Sequence, residues 1–169
     1  MTTRDPARPP FRIGHGFDVH QLVEGRSLIL GGVQIPHHLG LDGHSDADAV
    51  LHALCDALLG AIAGSDIGAL FPNDDERWKG RNSADFVAAC MARVTAAGYA
   101  VANADITIHA ERPKLRPHID TMRARVAAML GVPADRVGMK AGTMEKMGFV
   151  GREEGIAADA VVLLTAVDF

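Results

Sequence analysis

The chain has 169 residues, 48% of them apolar, which is enough to bury one core and excludes disorder of the whole. Its net charge of −4, with no long basic run, excludes nucleic acid as the main partner. An anionic substrate would therefore need local devices, such as metal ions, backbone N–H groups or a few Lys and Arg. Met1–Phe11 carries Arg4, Asp5, Arg8 and three prolines where an apolar leader would stand. The longest apolar stretch, Ala57–Gly64, is too short to cross a bilayer, and Cys55 and Cys90 suggest no disulfide framework. A soluble, cytoplasmic protein is expected.

Residues 1–11 read as a disordered tail, with one domain over 12–169. Arg12–His20 is the first strand. Its alternation puts Asp18 and His20 on one side, and Gly14 and Gly16 leave room for a close neighbour. Gly31-Gly32 predicts a hairpin between Ser27–Gly31 and Val33–Ile35, ended by Pro36, and Gly40–Gly43 reads as loop. Ser45 as N-cap with Asp48 three residues on predicts a helix over about Asp46–Ala63. Ala47, Leu51, Leu54, Leu58 and Ala61 form its core face, and Asp48, His52 and Asp56 form a polar stripe at intervals of four.

Gly64–Gly80 reads as a long Gly/Pro/Asp loop, and its length suggests a function. Asn82-Ser83 caps a helix to about Ala97, stopped by Gly98. Tyr99–His109 is a strand, and Arg112-Pro113-Lys114 a turn. Pro117 opens a helix to about Leu130, Val137–Ala141 is a strand, Glu145–Gly155 a glycine-rich loop, and Ile156–Val167 the closing strand. The order predicts a single α+β domain, a mixed β-sheet with helices layered on one face.

Asp18 and His20 with one more ligand would make a three-ligand zinc site with an open fourth position, the catalytic pattern. His52 is the third ligand chosen, because Asp48 or Asp56, one turn away on either side, would orient its imidazole. His44, the competitor, lies before a helix where free N–H groups attract anions, and takes an anion-binding role.

Gly14–His20 (GHGFDVH), His44–His52 (HSDADAVLH), Asp66-Ile67-Gly68 with Phe71-Pro72, Pro113-Lys114-Leu115 and Glu145–Gly155 (EKMGFVGREEG) occur together in this order. In this the chain resembles the 2-C-methyl-D-erythritol 2,4-cyclodiphosphate synthases of the non-mevalonate isoprenoid pathway, over about residues 12–167. The resemblance implies a lyase that closes 4-diphosphocytidyl-2-C-methyl-D-erythritol 2-phosphate to the cyclic diphosphate and expels CMP. It implies a homotrimer whose sheets face the threefold axis, with active sites between subunits. By the same resemblance Asp18, His20 and His52 hold zinc, and Glu145 meets a second divalent ion, magnesium or manganese.

The same resemblance implies the remaining contacts: His44 and Thr143 fall on the family's transition-state-stabilising positions. Substrate contacts extend over Asp18, Val19 and His20, and over His44 and Ser45. The erythritol side falls on Asp66, Ile67 and Gly68, and on Phe71, Pro72, Asn73, Asp74 and Asp75. The cytidine loop falls on Ala110, Glu111, Arg112, Pro113, Lys114, Leu115 and Arg116. Gly142, Thr143, Met144 and Glu145 follow, and Phe149 and Arg152 complete the set. Gly142 and Met144 stand where threonines are common, Asn73 where aspartate is, and Trp78 where phenylalanine is. Two other readings fit part of the pattern: a non-catalytic trimeric binder of an isoprenoid diphosphate, with Arg152 and Glu154 near the axis, and a metal-dependent phosphohydrolase.

Overall fold

Gly14 and Gly16 decide how the chain packs. They lie in strand β1 (Phe11–Glu24) under helix α1 (Ala49–Ala61). A Cβ on Gly14 would stand 1.8 Å from the carbonyl oxygen of Ala57, and one on Gly16 would stand 2.0 Å from that of Ala53. The neighbour for which the glycines make room is thus the helix backbone. Ala53, Ala57 and Ala61, one turn apart, keep that face of α1 small enough to sit there.

The structure, a computed structural model, describes residues 9–72 and 74–167. The expected tail over residues 1–8 and the position of Asn73 lie outside the described residues. Phe11 is no part of a tail: it pairs with Thr165 and opens β1. β1 also runs on past His20 to Glu24, because the register with strand β7 (Gly155–Ala166) continues to Gln21 and a further strand takes over at Leu22.

Strands β2 (Leu28–Leu30) and β3 (Val33–Ile35) form the expected hairpin, with Gly31 and Gly32 at φ +57° and +73°. The stretch read as loop at Gly40–Gly43 begins inside strand β4 (Leu39–Leu41), which pairs with Leu22–Glu24. The N-cap of α1 is Asp48, not Ser45; its carboxylate accepts the Leu51 N–H. Asp48 wins that place because it is fully buried beside the hairpin and accepts the N–H groups of Gly31 and Gly32 as well. α1 is buried nearly all round rather than on one face, since it lies between the sheet and helix α3 (Ser83–Ala96).

The long loop after α1 holds one-turn helix α2 (Ile67–Leu70) and a 3₁₀ turn at Glu76–Trp78. Strand β5 (Tyr99–His109) leads through a cis Arg112–Pro113 bond and a 3₁₀ turn (Arg116–His118) into helix α4 (Ile119–Leu130). Strand β6 (Val137–Gly142) follows, then one-turn helix α5 (Gly148–Gly151) inside the stretch read as glycine-rich loop. The sheet order is β4-β1-β7-β5-β6, with β5 and β6 parallel and the other pairs antiparallel.

The mixed sheet and the one-sided helix layer are as the sequence led one to expect. The other face is open: Ile13, Phe17 and Val19 of β1 are 72%, 50% and 44% exposed. No helix among the described residues is long and apolar enough to cross a membrane.

Candidate metal centre and its neighbouring cavities

Asp18 and His20 stand on the helix-facing side of β1, and α1 brings His52 over them. Three atoms converge: Asp18 Oδ2, His20 Nε2 and His52 Nδ1. The carboxylate oxygen is 2.9 Å from the first nitrogen and 3.1 Å from the second, and the nitrogens are 3.0 Å apart. Tetrahedral ligation at metal bonds of about 2.0–2.1 Å would set these separations at about 3.3 Å, so a small outward movement admits a cation. Among the described residues this is the one His/Cys/Asp/Glu group of at least three with ligand atoms so close together.

His20 Nδ1–H donates to the carbonyl of Asp42 at 2.6 Å, which leaves the Nε2 lone pair facing the triangle. In the metal-free site burial opposes charge on Asp18, but hydrogen bonds from His20 and His52 in their protonated forms, and attraction to them, outweigh it and lower its pKa to about 2. On His20 the balance runs the other way: burial lowers its pKa, and Asp18 together with the Asp42 carbonyl raises it by more. One carboxylate oxygen and two imidazole nitrogens suit a borderline divalent metal.

The triangle opens on a cavity of about 190 Å³. His44, Ser45, Ile67, Gly68 and Phe71 line it; the sequence reading put Ile67, Gly68 and Phe71 on the erythritol side, and His44 and Ser45 among the other substrate contacts. Trp78 and Phe86 also line it. Phe71 stacks on Phe86 at 4.4 Å and meets Trp78 edge-on, and Phe86 lies 6.1 Å from the His52 ring, so an aromatic wall adjoins the triangle. Phe86 was missed because it reads as an ordinary core position of α3.

The Asp66 carboxylate is engaged in capping α2, where it accepts the Ala69 N–H. The other expected residues are not brought to this cavity. Val19 points its side chain to the opposite face of β1, Asp74 and Pro72 do not line the cavity, and Asp75 caps the 3₁₀ turn and pairs with Arg77.

The expectation that Asp48 or Asp56 orients His52 is corrected. Asp48 is committed to the hairpin, and Asp56 accepts the Ile67 N–H at 2.7 Å, which anchors α2. The Nε2 of His52 lies instead against two hydroxyls, Ser45 Oγ at 3.1 Å and Ser83 Oγ at 3.0 Å. Ser83 reads as a helix cap in the sequence, and no local signal points it at His52.

A second, larger cavity of about 440 Å³ lies at the far end of the sheet. Ala110, Glu111, Pro113, Lys114, Leu115 and Arg116 form one wall, and Met139–Thr143 another. The Ala110 N–H donates to the carbonyl of Gly142, which ties the two walls together. Glu111 accepts from the Met144 and Lys146 N–H groups at 3.3 and 3.4 Å, and Thr143 Oγ1 donates to Glu145 at 3.2 Å. Phe149 is exposed, and Arg152 pairs with Glu154 at 2.8 Å. Among the described residues none lines both cavities.

Residues 11–165 match the model of the YgbB family. The 2-C-methyl-D-erythritol 2,4-cyclodiphosphate synthase of Marinobacter nauticus is 59% identical over 156 residues, 92% of this chain and 98% of its own length. That of Salinibacter ruber is 59% identical over 149 residues, 88% of this chain and 95% of its own. The solved IspF–CDP complex of Plasmodium falciparum superposes with a TM-score of 0.84 at 30% identity, covering 96% of this chain and all of that one. Matched over residues 11–165 and 59% identical to named synthases over about nine-tenths of its length, the chain belongs to the YgbB family, together with the 2-C-methyl-D-erythritol 2,4-cyclodiphosphate synthases.

Proposed function

We propose that the chain converts 4-diphosphocytidyl-2-C-methyl-D-erythritol 2-phosphate to 2-C-methyl-D-erythritol 2,4-cyclodiphosphate and CMP, a lyase-type step of isoprenoid precursor synthesis. The Asp18–His20–His52 triangle, open on one side to a cavity, is the observation that carries this reading. An oxygen of the 2-phosphate attacks the β-phosphorus, the bond from that phosphorus to the bridging oxygen breaks, and CMP leaves with the electron pair. The phosphate monoester is already ionised near neutral pH, so no protein base is needed. Catalysis then rests on holding the reacting oxygens in line and neutralising charge.

Asp18, His20 and His52 would hold zinc, and Glu145 would meet a second divalent ion, Mg²⁺ or Mn²⁺. Bound there, the two ions supply Lewis-acid neutralisation of the diphosphate. His44 and Thr143 stabilise the charge that develops on the phosphoryl oxygens. Ser45 and the loop from Asp66 to Asp75 hold the erythritol phosphate, with the Phe71 wall excluding water. Ala110–Arg116 holds the cytidine, and Gly142, Met144, Phe149 and Arg152 frame the diphosphate side.

The separation of the two cavities supports a homotrimer in which one subunit's metal cavity faces the cytidine loop of the next. The sheet face left uncovered by helices, where exposed Ile13, Phe17 and Val19 flank the His15–Asp159–His109 cluster, supports packing about a threefold axis, with an axial space suited to an isoprenoid diphosphate. A cytoplasmic location accords with this metabolism. ³¹P NMR of the full chain with the cytidyl substrate and Mg²⁺ tests the reading. Cyclic diphosphate with CMP is expected. Inorganic phosphate would make the chain a hydrolase, and no turnover a binding protein; either result overturns the proposal.

A further inference from the structure

The imidazole of His52 is held by an ordered pair of hydrogen-bonding groups. Ser83 Oγ lies 3.0 Å from His52 Nε2, and the same hydroxyl makes a short hydrogen bond to Asp46 Oδ1. A carboxylate only accepts, so the hydroxyl proton of Ser83 is committed to Asp46. The oxygen lone pairs that remain face His52 and accept its Nε2 proton. That places the Nδ1 lone pair of His52 toward Asp18 Oδ2 and His20 Nε2.

Asp46 is itself fixed. Its Oδ2 accepts the Ser83 N–H at 3.0 Å, at the first turn of the 14-residue helix α3, where a carboxylate suits the helix dipole. Its Oδ1 also accepts the Asp48 N–H at 3.3 Å. Ser83 is fully buried, so water does not compete for its hydroxyl. Ser45 Oγ, the other hydroxyl near Nε2, accepts the Ala47 N–H, and no carboxylate among the described residues orients its proton.

We infer that Ser83 and Asp46 are positioning residues of the metal centre: Asp46 orients the Ser83 hydroxyl, which takes the Nε2 proton of His52 and keeps Nδ1 free for the metal. His20 is prepared in the same way by the carbonyl of Asp42. The inference rests on the reading of Asp18, His20 and His52 as metal ligands, and extends it to two residues outside that set. Groups behind a metal-bound histidine raise metal affinity by about 10–100-fold.

The test uses the full chain and two readouts. Zinc affinity is measured by competition against a chromophoric chelator, and the His52 tautomer by ¹⁵N NMR of the imidazole in metal-free and zinc-loaded protein. Wild type is expected to bind one Zn²⁺ per chain and to carry the proton on Nε2. Asp46→Asn preserves shape but frees the hydroxyl of Ser83 to turn its proton toward His52. It should bind zinc about 10–100-fold more weakly and divide the His52 proton between the two nitrogens, with unchanged circular dichroism. Ser83→Ala should lose about as much, and the double variant no more than Ser83→Ala alone, because Asp46 acts through Ser83. Ser45→Ala should leave the tautomer as in wild type.

Wild-type affinity and a pure Nε2–H signal in Asp46→Asn would overturn the inference, as would additive losses in the double variant. A wild-type chain that takes no zinc would overturn the metal reading, whereas the tautomer of the metal-free protein still decides whether Asp46 and Ser83 set His52.

Discussion

Asp48 is fully buried at the junction of the hairpin and α1, and burial pushes its pKa up to about 6 although three backbone N–H groups donate to it. Asp48→Ala would leave those donors unpaired. At about 1–3 kcal/mol for each buried group, it should destabilise the fold by about 3 kcal/mol or more, measured by urea unfolding. Asp18 and His20 give a pH signature of opposite signs. In the metal-free protein Asp18, lowered from 3.8 to about 2, contributes stability above 3.8 that is lost as pH falls toward 2. His20, raised above 6.5, contributes stability present below 6.5 and lost as pH rises through its folded pKa. Zinc needs the unprotonated imidazole. The rise in Tm on adding zinc should therefore grow from pH 6 to pH 8, as read by differential scanning fluorimetry; a constant rise would count against His20 as ligand.

At the scale of the element, β1 and α1 are one unit, because backbone lies on backbone at Gly14 and Gly16. A Cβ at position 16 meets the carbonyl of Ala53 at 2.0 Å and the amide of Ala57 at 2.7 Å, both parts of a helix that cannot yield locally. Gly16→Ala should cost about 3 kcal/mol. It should also weaken zinc binding, since His52 rides on α1 while Asp18 and His20 ride on β1. Chemical unfolding and chelator competition on the same sample check both. Wild-type zinc affinity in a destabilised variant would show that the metal triangle does not depend on this packing.

For the whole molecule, the open sheet face and the two separate cavities make assembly testable. Phe17 is half exposed on that face, which it shares with exposed Ile13, Val19 and Val161, and it stands opposite Asp159 in the register. Phe17→Asp should keep the fold, since the side chain packs on no helix, but shift the sedimenting species from trimer to monomer. A trimer as tight as wild type would refute that face as the interface. Complementation tests the shared site. His52→Ala is mixed with a chain whose 110–116 loop is rebuilt, each inactive alone. In a ring-closing trimer every mixed species has one interface with both halves intact, so random equal mixing should restore about a quarter of wild-type turnover. No recovery, with subunit exchange shown by mass spectrometry, would place both halves in one chain.

How much of this was legible in the sequence depends on how local the cause was. Asp18 and His20 share a side by strand alternation, Gly31-Gly32 allows the turn, and Gly131 ends α4 at φ +67°, each from a few neighbouring residues. The choice of His52 over His44 as nearest partner of Asp18 and His20 also follows from where a helix would present it. The orienting group of His52 was not legible. Asp48 and Asp56 are its neighbours in sequence, but burial beside the hairpin claims one and the Ile67 N–H claims the other. Ser83 lies 31 residues from His52, and Asp46 is 37 residues from Ser83, so only the packing of α3 against α1 joins them. Strand β4 escaped notice for a related reason, as three residues gain strand character only from the edge of β1 that they pair with. Periodicity and turn chemistry are properties of a segment and can be read along the chain; which buried polar group meets which is decided when the elements pack and each donor must find an acceptor.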